Sequence, residues 1–132
     1  MIQRIASCRC GQLQAKCSGE PVRVSVCHCL DCQQRSGSAF SYQARWPEEQ
    51  VEISGEHKAW ETIADSGNKA RFLFCPDCGS TVAYVSEGVP GAVSVPAGGF
   101  ADLAFPAPAV SVYEERKRDW VEIKGDAIDR QQ

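Results

Sequence analysis

Eight cysteines in a chain of 132 residues constrain this sequence more than any other feature. They are Cys8, Cys10, Cys17, Cys27, Cys29, Cys32, Cys75 and Cys78. Seven of them fall into three tight clusters: Cys8-Arg9-Cys10-Gly11, Cys27-His28-Cys29-Leu30-Asp31-Cys32 and Cys75-Pro76-Asp77-Cys78-Gly79. In a secreted chain this pattern would read as a disulfide framework. The N-terminus, Met1 to Cys8, has no apolar h-region and does not read as a signal peptide. The expected location is therefore the cytoplasm, where thiols are kept reduced. In that compartment, clustered cysteines read as metal ligands or reactive thiols.

The spacing divides the seven into a quartet and a trio. Extended chain turns residues i and i+2 to one face, so Cys8 and Cys10 point both sulfurs at one ion. Cys75 and Cys78 form a knuckle, and Gly79 after it supplies a turn with positive φ. Structural zinc takes four ligands in a tetrahedron, and Cys8, Cys10, Cys75 and Cys78 supply them. Cys27, Cys29 and Cys32 then stand alone. Three protein ligands and one open position is the pattern of a catalytic zinc. Such a position takes water or a substrate thiol, and a coordinated thiol is deprotonated. The expectation is two zinc ions per chain, one closed and one open. Two other readings remain. Cys75-Pro76-Asp77-Cys78 has the form of a redox motif, although such motifs open a helix and this one leads toward a strand. The trio also makes a second structural site if His28, His57 or Cys17 closes it. Cys17 itself shares an apolar face with Leu13 and Ala15 and reads as a buried, inert thiol.

Outside the clusters the chain alternates apolar and polar residues in short runs. These are Leu13 to Cys17, Val22 to Val26, Phe40 to Trp46, Val51 to Ile53 and Phe72 to Phe74. Further on come Thr81 to Val85, Val93 to Val95, Val110 to Tyr113 and Val121 to Ile123. Period two with β-branched and aromatic residues predicts strands. Helical turns are expected only at Leu30 to Arg35 and Asp102 to Ala104. The predicted class is mainly β, built of short antiparallel strands and zinc knuckles. The length fits one domain, taken as residues 1–125, with 126–132 a polar and disordered tail. Trp46, Trp60 and Trp120 are expected in the core or in a pocket wall. No run approaches a membrane span. The net charge of −3 speaks against a nucleic-acid partner. Arg116-Lys117-Arg118 lies among acids and reads as a solvated face.

With the clusters goes Arg35-Ser36-Gly37-Ser38-Ala39-Phe40, followed by Ala97-Gly98-Gly99 and Asp119-Trp120-Val121-Glu122. In this order they resemble the glutathione-dependent formaldehyde-activating enzyme family, which shares its domain with centromere protein V. The resemblance implies an Mss4-like β fold, a structural zinc on Cys8, Cys10, Cys75 and Cys78, and a catalytic zinc on Cys27, Cys29 and Cys32. It implies a carbon–sulfur lyase whose partners are a small-molecule thiol, glutathione, and a small aldehyde, formaldehyde. The alkoxide formed by such an addition needs a donor. Ser36, Ser38 and the backbone N–H groups after Cys32 are the candidates, and Ser36 and Ser38 also suit turns. Arg9, Arg35 and Arg45 are candidates for the thiol's carboxylates. The alternative is a non-catalytic, zinc-stabilised β module for protein interaction.

Overall fold

The computed structural model describes residues 1–132. Its strands are β1 (Gln3–Ser7), β2 (Gln14–Ser18), β3 (Arg23–Cys27), β4 (Ser41–Pro47), β5 (Val51–Ser54) and β6 (Lys58–Ile63). They continue with β7 (Lys69–Phe74), β8 (Thr81–Ser86), β9 (Ala92–Pro96), β10 (Val110–Val112) and β11 (Asp129–Arg130). One α-helix, α1 (Leu30–Ser36), follows β3 directly. A smaller sheet has the order β1-β2-β5, and a larger one runs β11-β10-β3-β4-β9-β8-β7-β6. The expected mainly β, antiparallel class holds, with one departure: β10 runs parallel to both β3 and β11. No helix is long and apolar enough to cross a membrane.

Period-two alternation sets which residue goes where. On β2, Ala15 and Cys17 are buried and Lys16 is exposed. On β4, Ala44 and Trp46 are fully buried. They join Ala6, Leu13, Val24 and Val95 in a single core cluster. The alternate residues of the same strands, Arg23, Ser25 and Cys27 on β3 and Gln43 and Arg45 on β4, line a cavity. The sheet thus gives one face to the core and the other to a polar hollow.

Trp46 anchors the core. It is 0% exposed, its Nε1 donates to Gly19 O at 2.9 Å, and its ring meets Phe100 at 5.7 Å. Trp46→Ala is expected to cost about 3–5 kcal/mol and to lower Tm by roughly 10–20 °C, read by a circular-dichroism melt.

Of the other two tryptophans, Trp60 departs from expectation and Trp120 meets it only as the wall of a hollow. Trp60 is 52% and Trp120 75% exposed, so neither belongs to the core. Trp60 stacks on Phe72 across the β6–β7 edge, and Trp120 borders a shallow hollow beside α1. Val121–Ile123 forms no strand, and Val121 instead closes a turn by donating to Arg118 O. Asp102–Ala104 is a turn held by Ala104 N–H donating to Asp102 Oδ1 at 2.9 Å. The 3-10 segments fall at Glu48–Gln50, Ala97–Phe100 and Glu114–Arg116. The C-terminal tail is not free either. Asp129–Arg130 pairs with β10, and Gln131 N–H donates to Ser111 O at 2.8 Å. A polar segment can pair in this way because backbone groups alone make the ladder.

Candidate functional site

Four of the sulfurs converge where the loop after β1 meets the loop after β7. The Sγ atoms of Cys8, Cys10, Cys75 and Cys78 all lie within 4.8 Å of one another. Cys8 Sγ is 3.6 Å from Cys10 Sγ, and Cys10 Sγ is 3.7 Å from Cys75 Sγ. Four sulfurs at ~2.3 Å from one ion define a tetrahedron with edges of ~3.8 Å, so the donor set fits zinc. All eight thiols are unbonded. Both loops curl as knuckles. Gly11 N–H returns to Cys8 O and Gly79 N–H to Cys75 O, with positive φ at both glycines.

Donors also converge on the sulfurs. Leu13 N–H donates to Cys8 Sγ at 3.3 Å. Gln12 Nε2 donates to Cys75 Sγ at 3.0 Å, and the N–H groups of Asp77 and Cys78 do so at 3.4 and 3.5 Å. Burial raises the Cys75 thiol, but these donors outweigh it and hold the thiol below its ordinary value. Ser80 brings Cys78 down to about 5. Cys75 and Cys78 are thus drawn toward thiolate, as a metal site needs, while at Cys10 the Gln12 backbone N–H is outweighed by the thiols of Cys8, Cys75 and Cys78 and by desolvation, which push it up to about 12.

The second group gathers at the β3–α1 junction. Cys27 ends β3, Cys29 caps α1 and Cys32 lies in its first turn. Their sulfurs lie within 4.8 Å of one another, and Cys32 N–H donates to Cys29 Sγ at 3.3 Å. The thiols of Cys27 and Cys29 hold Cys32 far below the ordinary thiol range, and Ser41 and the Arg35 guanidinium add to this. Cys27 is raised in turn by its two neighbours. The trio therefore surrenders a first proton readily.

No fourth side chain joins the trio. His28 is fully buried and faces away, its Nε2 3.0 Å from Ser111 Oγ and 3.5 Å from Glu114 Oε2. Gln33 Nε2 donates to His28 O at 2.7 Å, so this cluster braces the ligand loop from behind. Cys17 is sealed in the core, and His57 is exposed between β5 and β6. The reading in which one of these three closes the site is overturned by their positions.

The trio opens into a cavity of about 510 Å³. Cys27 and Cys32 form part of its wall, with Arg23, Arg45, Gln43 and Tyr84. Burial pushes the Tyr84 hydroxyl up to about 12. Arg35 lies over the rings of Phe72 and Tyr84, 4.8 and 5.1 Å from their centroids.

Residues 3–116 match the family model described as glutathione-dependent formaldehyde-activating enzyme. The chain belongs to this family. A crystal structure of a Rhodobacter sphaeroides protein is similar in fold, with a TM-score of 0.55 at 16% identity. The match covers 77% of this chain and 90% of that one. No curated protein gives a significant match.

Within this member of the formaldehyde-activating family, the two serines named as donors do not line the cavity. Ser36 Oγ donates back to Cys32 O at 2.7 Å, as serine does inside a helix. Ser38 accompanies Leu30 and Trp120 around the separate hollow, and its N–H donates to Ser36 Oγ. Of the three arginines named for carboxylates, only Arg45 lines the cavity. Arg9 is exposed beside the four-cysteine knuckle, and its N–H donates to Ser80 Oγ. Arg23 and Tyr84 were missed. Arg23 carried a signal, since it lies on the polar half of a strand recognised by its apolar half; Tyr84, two residues after the core residue Val82 in a run without alternation, carried none.

Proposed function

We propose that the cavity is where a small-molecule thiol, glutathione, adds to a small aldehyde, formaldehyde, and that the protein is a carbon–sulfur lyase. One observation carries this reading. Two of the three clustered sulfurs, Cys27 and Cys32, open into a roomy polar cavity, and no fourth side chain completes their set. An all-sulfur donor set suits zinc, so Cys27, Cys29 and Cys32 would hold a catalytic ion. Cys8, Cys10, Cys75 and Cys78 would hold a structural one. Zinc bound at the trio would keep an incoming thiol as thiolate at neutral pH.

The chain's own residues do the rest. In the addition, the sulfur electron pair forms the new C–S bond and the C=O π pair moves to oxygen. Tyr84 gives that oxygen its proton and recovers one from solvent, which has taken the proton of the incoming thiol. It lines the same cavity, and with its hydroxyl raised to about 12 it remains a protonated donor at neutral pH. Arg35, stacked on the Tyr84 ring, holds that ring in place. The product is an S-hydroxymethyl adduct, and the reverse reaction cleaves it. Both cysteine groups fall within residues 1–125, taken as the catalytic domain, and Gln131 and Gln132 contribute to the cavity wall. Unbonded thiols throughout suit the cytoplasm.

Native mass spectrometry of protein purified without chelator, alone and with reduced glutathione, tests the reading. Two zinc ions per chain and one bound glutathione are expected, the latter lost in Cys29→Ser. One zinc and no adduct would replace the enzyme by a zinc-stabilised β module for protein interaction.

A further inference from the structure

We infer that Arg23 and Arg45 form an anion subsite at the end of the cavity away from the sulfur trio, taking a free carboxylate of a peptide-like thiol. The inference rests on the cavity being the thiol site and names the chemistry that selects the thiol. Arg23 and Arg45 stand opposite each other in the antiparallel register of β3 and β4. Ser25 faces Gln43 in the next cavity-facing pair, and Cys27 faces Ser41 in the one after. Arg23, Ser25 and Cys27 are spaced i, i+2, i+4 and share one face of the strand. The floor of the cavity therefore runs from a sulfur cluster, past two neutral polar residues, to a pair of guanidiniums. Four residue steps along β3 separate the ends, or ~13 Å between backbones, and the arginine side chains span part of that distance.

Two like charges directly opposite on neighbouring strands repel. Here no ion pair of the protein compensates. The ion pairs of the fold engage Arg4, Lys69, Arg116, Lys117 and Arg130, with a further contact at His28. Arg23 and Arg45 have no carboxylate partner. The Nε atoms of both are buried and lack an acceptor. Burial, with Arg23 beside it, also lowers Arg45 from the ordinary guanidinium value. Two half-buried guanidiniums facing one cavity with no carboxylate of the protein on them suit an anion with two acceptor oxygens. Between the ends, Gln43 Nε2 donates to Ser25 Oγ at 3.0 Å, while Gln43 Oε1 is buried and unpartnered. A sulfur position at one end of the cavity floor and an anion clamp at the other describe a long acidic thiol, as a peptide-like one is, rather than a simple alkyl thiol.

Calorimetric titration of the metal-loaded protein with S-methylglutathione tests this, because a blocked sulfur removes the thiolate from the measurement. The wild type is expected to bind the acid and to bind its dimethyl ester about tenfold or more weakly. Arg23→Gln and Arg45→Gln are each expected to lose that same factor for the acid. The discrimination between acid and ester should collapse in both. Both variants should melt at or above the wild-type temperature, since a repulsive pair has been relieved, which separates lost binding from lost fold. Equal binding of acid and ester by the wild type, or undiminished acid binding by both variants, would overturn the inference. If the acid subsite behaves as expected but no adduct with formaldehyde is catalysed, the subsite stands and the lyase reading falls. If catalysis is present and acid binding is indifferent to both arginines, the lyase reading stands and the subsite falls.

Discussion

Cys75→Ser is expected to leave no cooperatively folded protein at 37 °C. Cys75 is fully buried in the core cluster and takes hydrogen bonds from Gln12 and from its own knuckle. It is also the link between two loops that lie 65 residues apart at Cys10 and Cys75. Cys8 N–H donates to Leu13 O and Cys75 N–H to Ser80 O, while Arg9 N–H crosses to Ser80 Oγ. With no ion, each loop is held only by such local bonds. A structural zinc contributes roughly 10–16 kcal/mol in small domains, whereas a whole domain is stable by only about 5–15 kcal/mol. Loss of one ligand of four therefore consumes the margin. A melt followed by circular dichroism reads this directly, and a strong chelator should have the same effect on the wild type. A cooperative melt of Cys75→Ser within about 5 °C of the wild type would mean that the quartet does not hold the fold together.

The two cysteine groups are the most legible part of this sequence, for a physical reason. One ion needs several sulfurs within a few ångströms, and the simplest way to place two is one or two residues apart. The same economy makes the strands with a core face legible. Ala15 and Cys17, or Ala44 and Trp46, must alternate with polar neighbours because only one side of the sheet is dry. Strands without such a face carry no signal. β6 is exposed at nearly every position and exists because β7 offers it a partner. β11 is polar and pairs through its backbone alone. The parallel placement of β10 beside β3 depends on a crossover that no local pattern encodes.

The cavity was half legible. The valines, alanine and tryptophan of β3 and β4 mark these strands by their core face. The residues between them, Arg23, Ser25, Gln43 and Arg45, were the more informative half. A strand buried on one face and polar on the other normally shows its polar side to water. Here β8, β9 and the C-terminal residues close around that side, which requires tertiary contacts to see. Ser36 misled for the opposite reason. Its neighbourhood to Cys32 in sequence suggested a donor, but one helical turn sends its hydroxyl to the backbone.

Cys32→Ser is expected to lower kcat/KM for adduct formation about 1,000-fold or more while leaving the fold intact. Cys32 sits on the cavity wall, in the first turn of a helix only seven residues long. It is half-buried and outside the core cluster, so an oxygen in place of its sulfur disturbs little packing. The chemistry is different. Cys32 is the thiol that its neighbours hold lowest, and a hydroxyl is a poor substitute for a thiolate ligand. With two ligands left, the trio should lose its ion, and metal activation is worth several kcal/mol, or about three powers of ten in rate. Native mass spectrometry should count one zinc per chain instead of two, with Tm within about 5 °C of the wild type. The assay must subtract the uncatalysed addition. Tyr84→Phe is the informative partner. It keeps every sulfur, so it should keep both ions, yet without the proton donor its kcat should fall about 100-fold. A Cys32→Ser protein that retained wild-type turnover would move the reaction away from the trio. A Tyr84→Phe protein that did so would leave the trio in place and transfer the proton step to solvent.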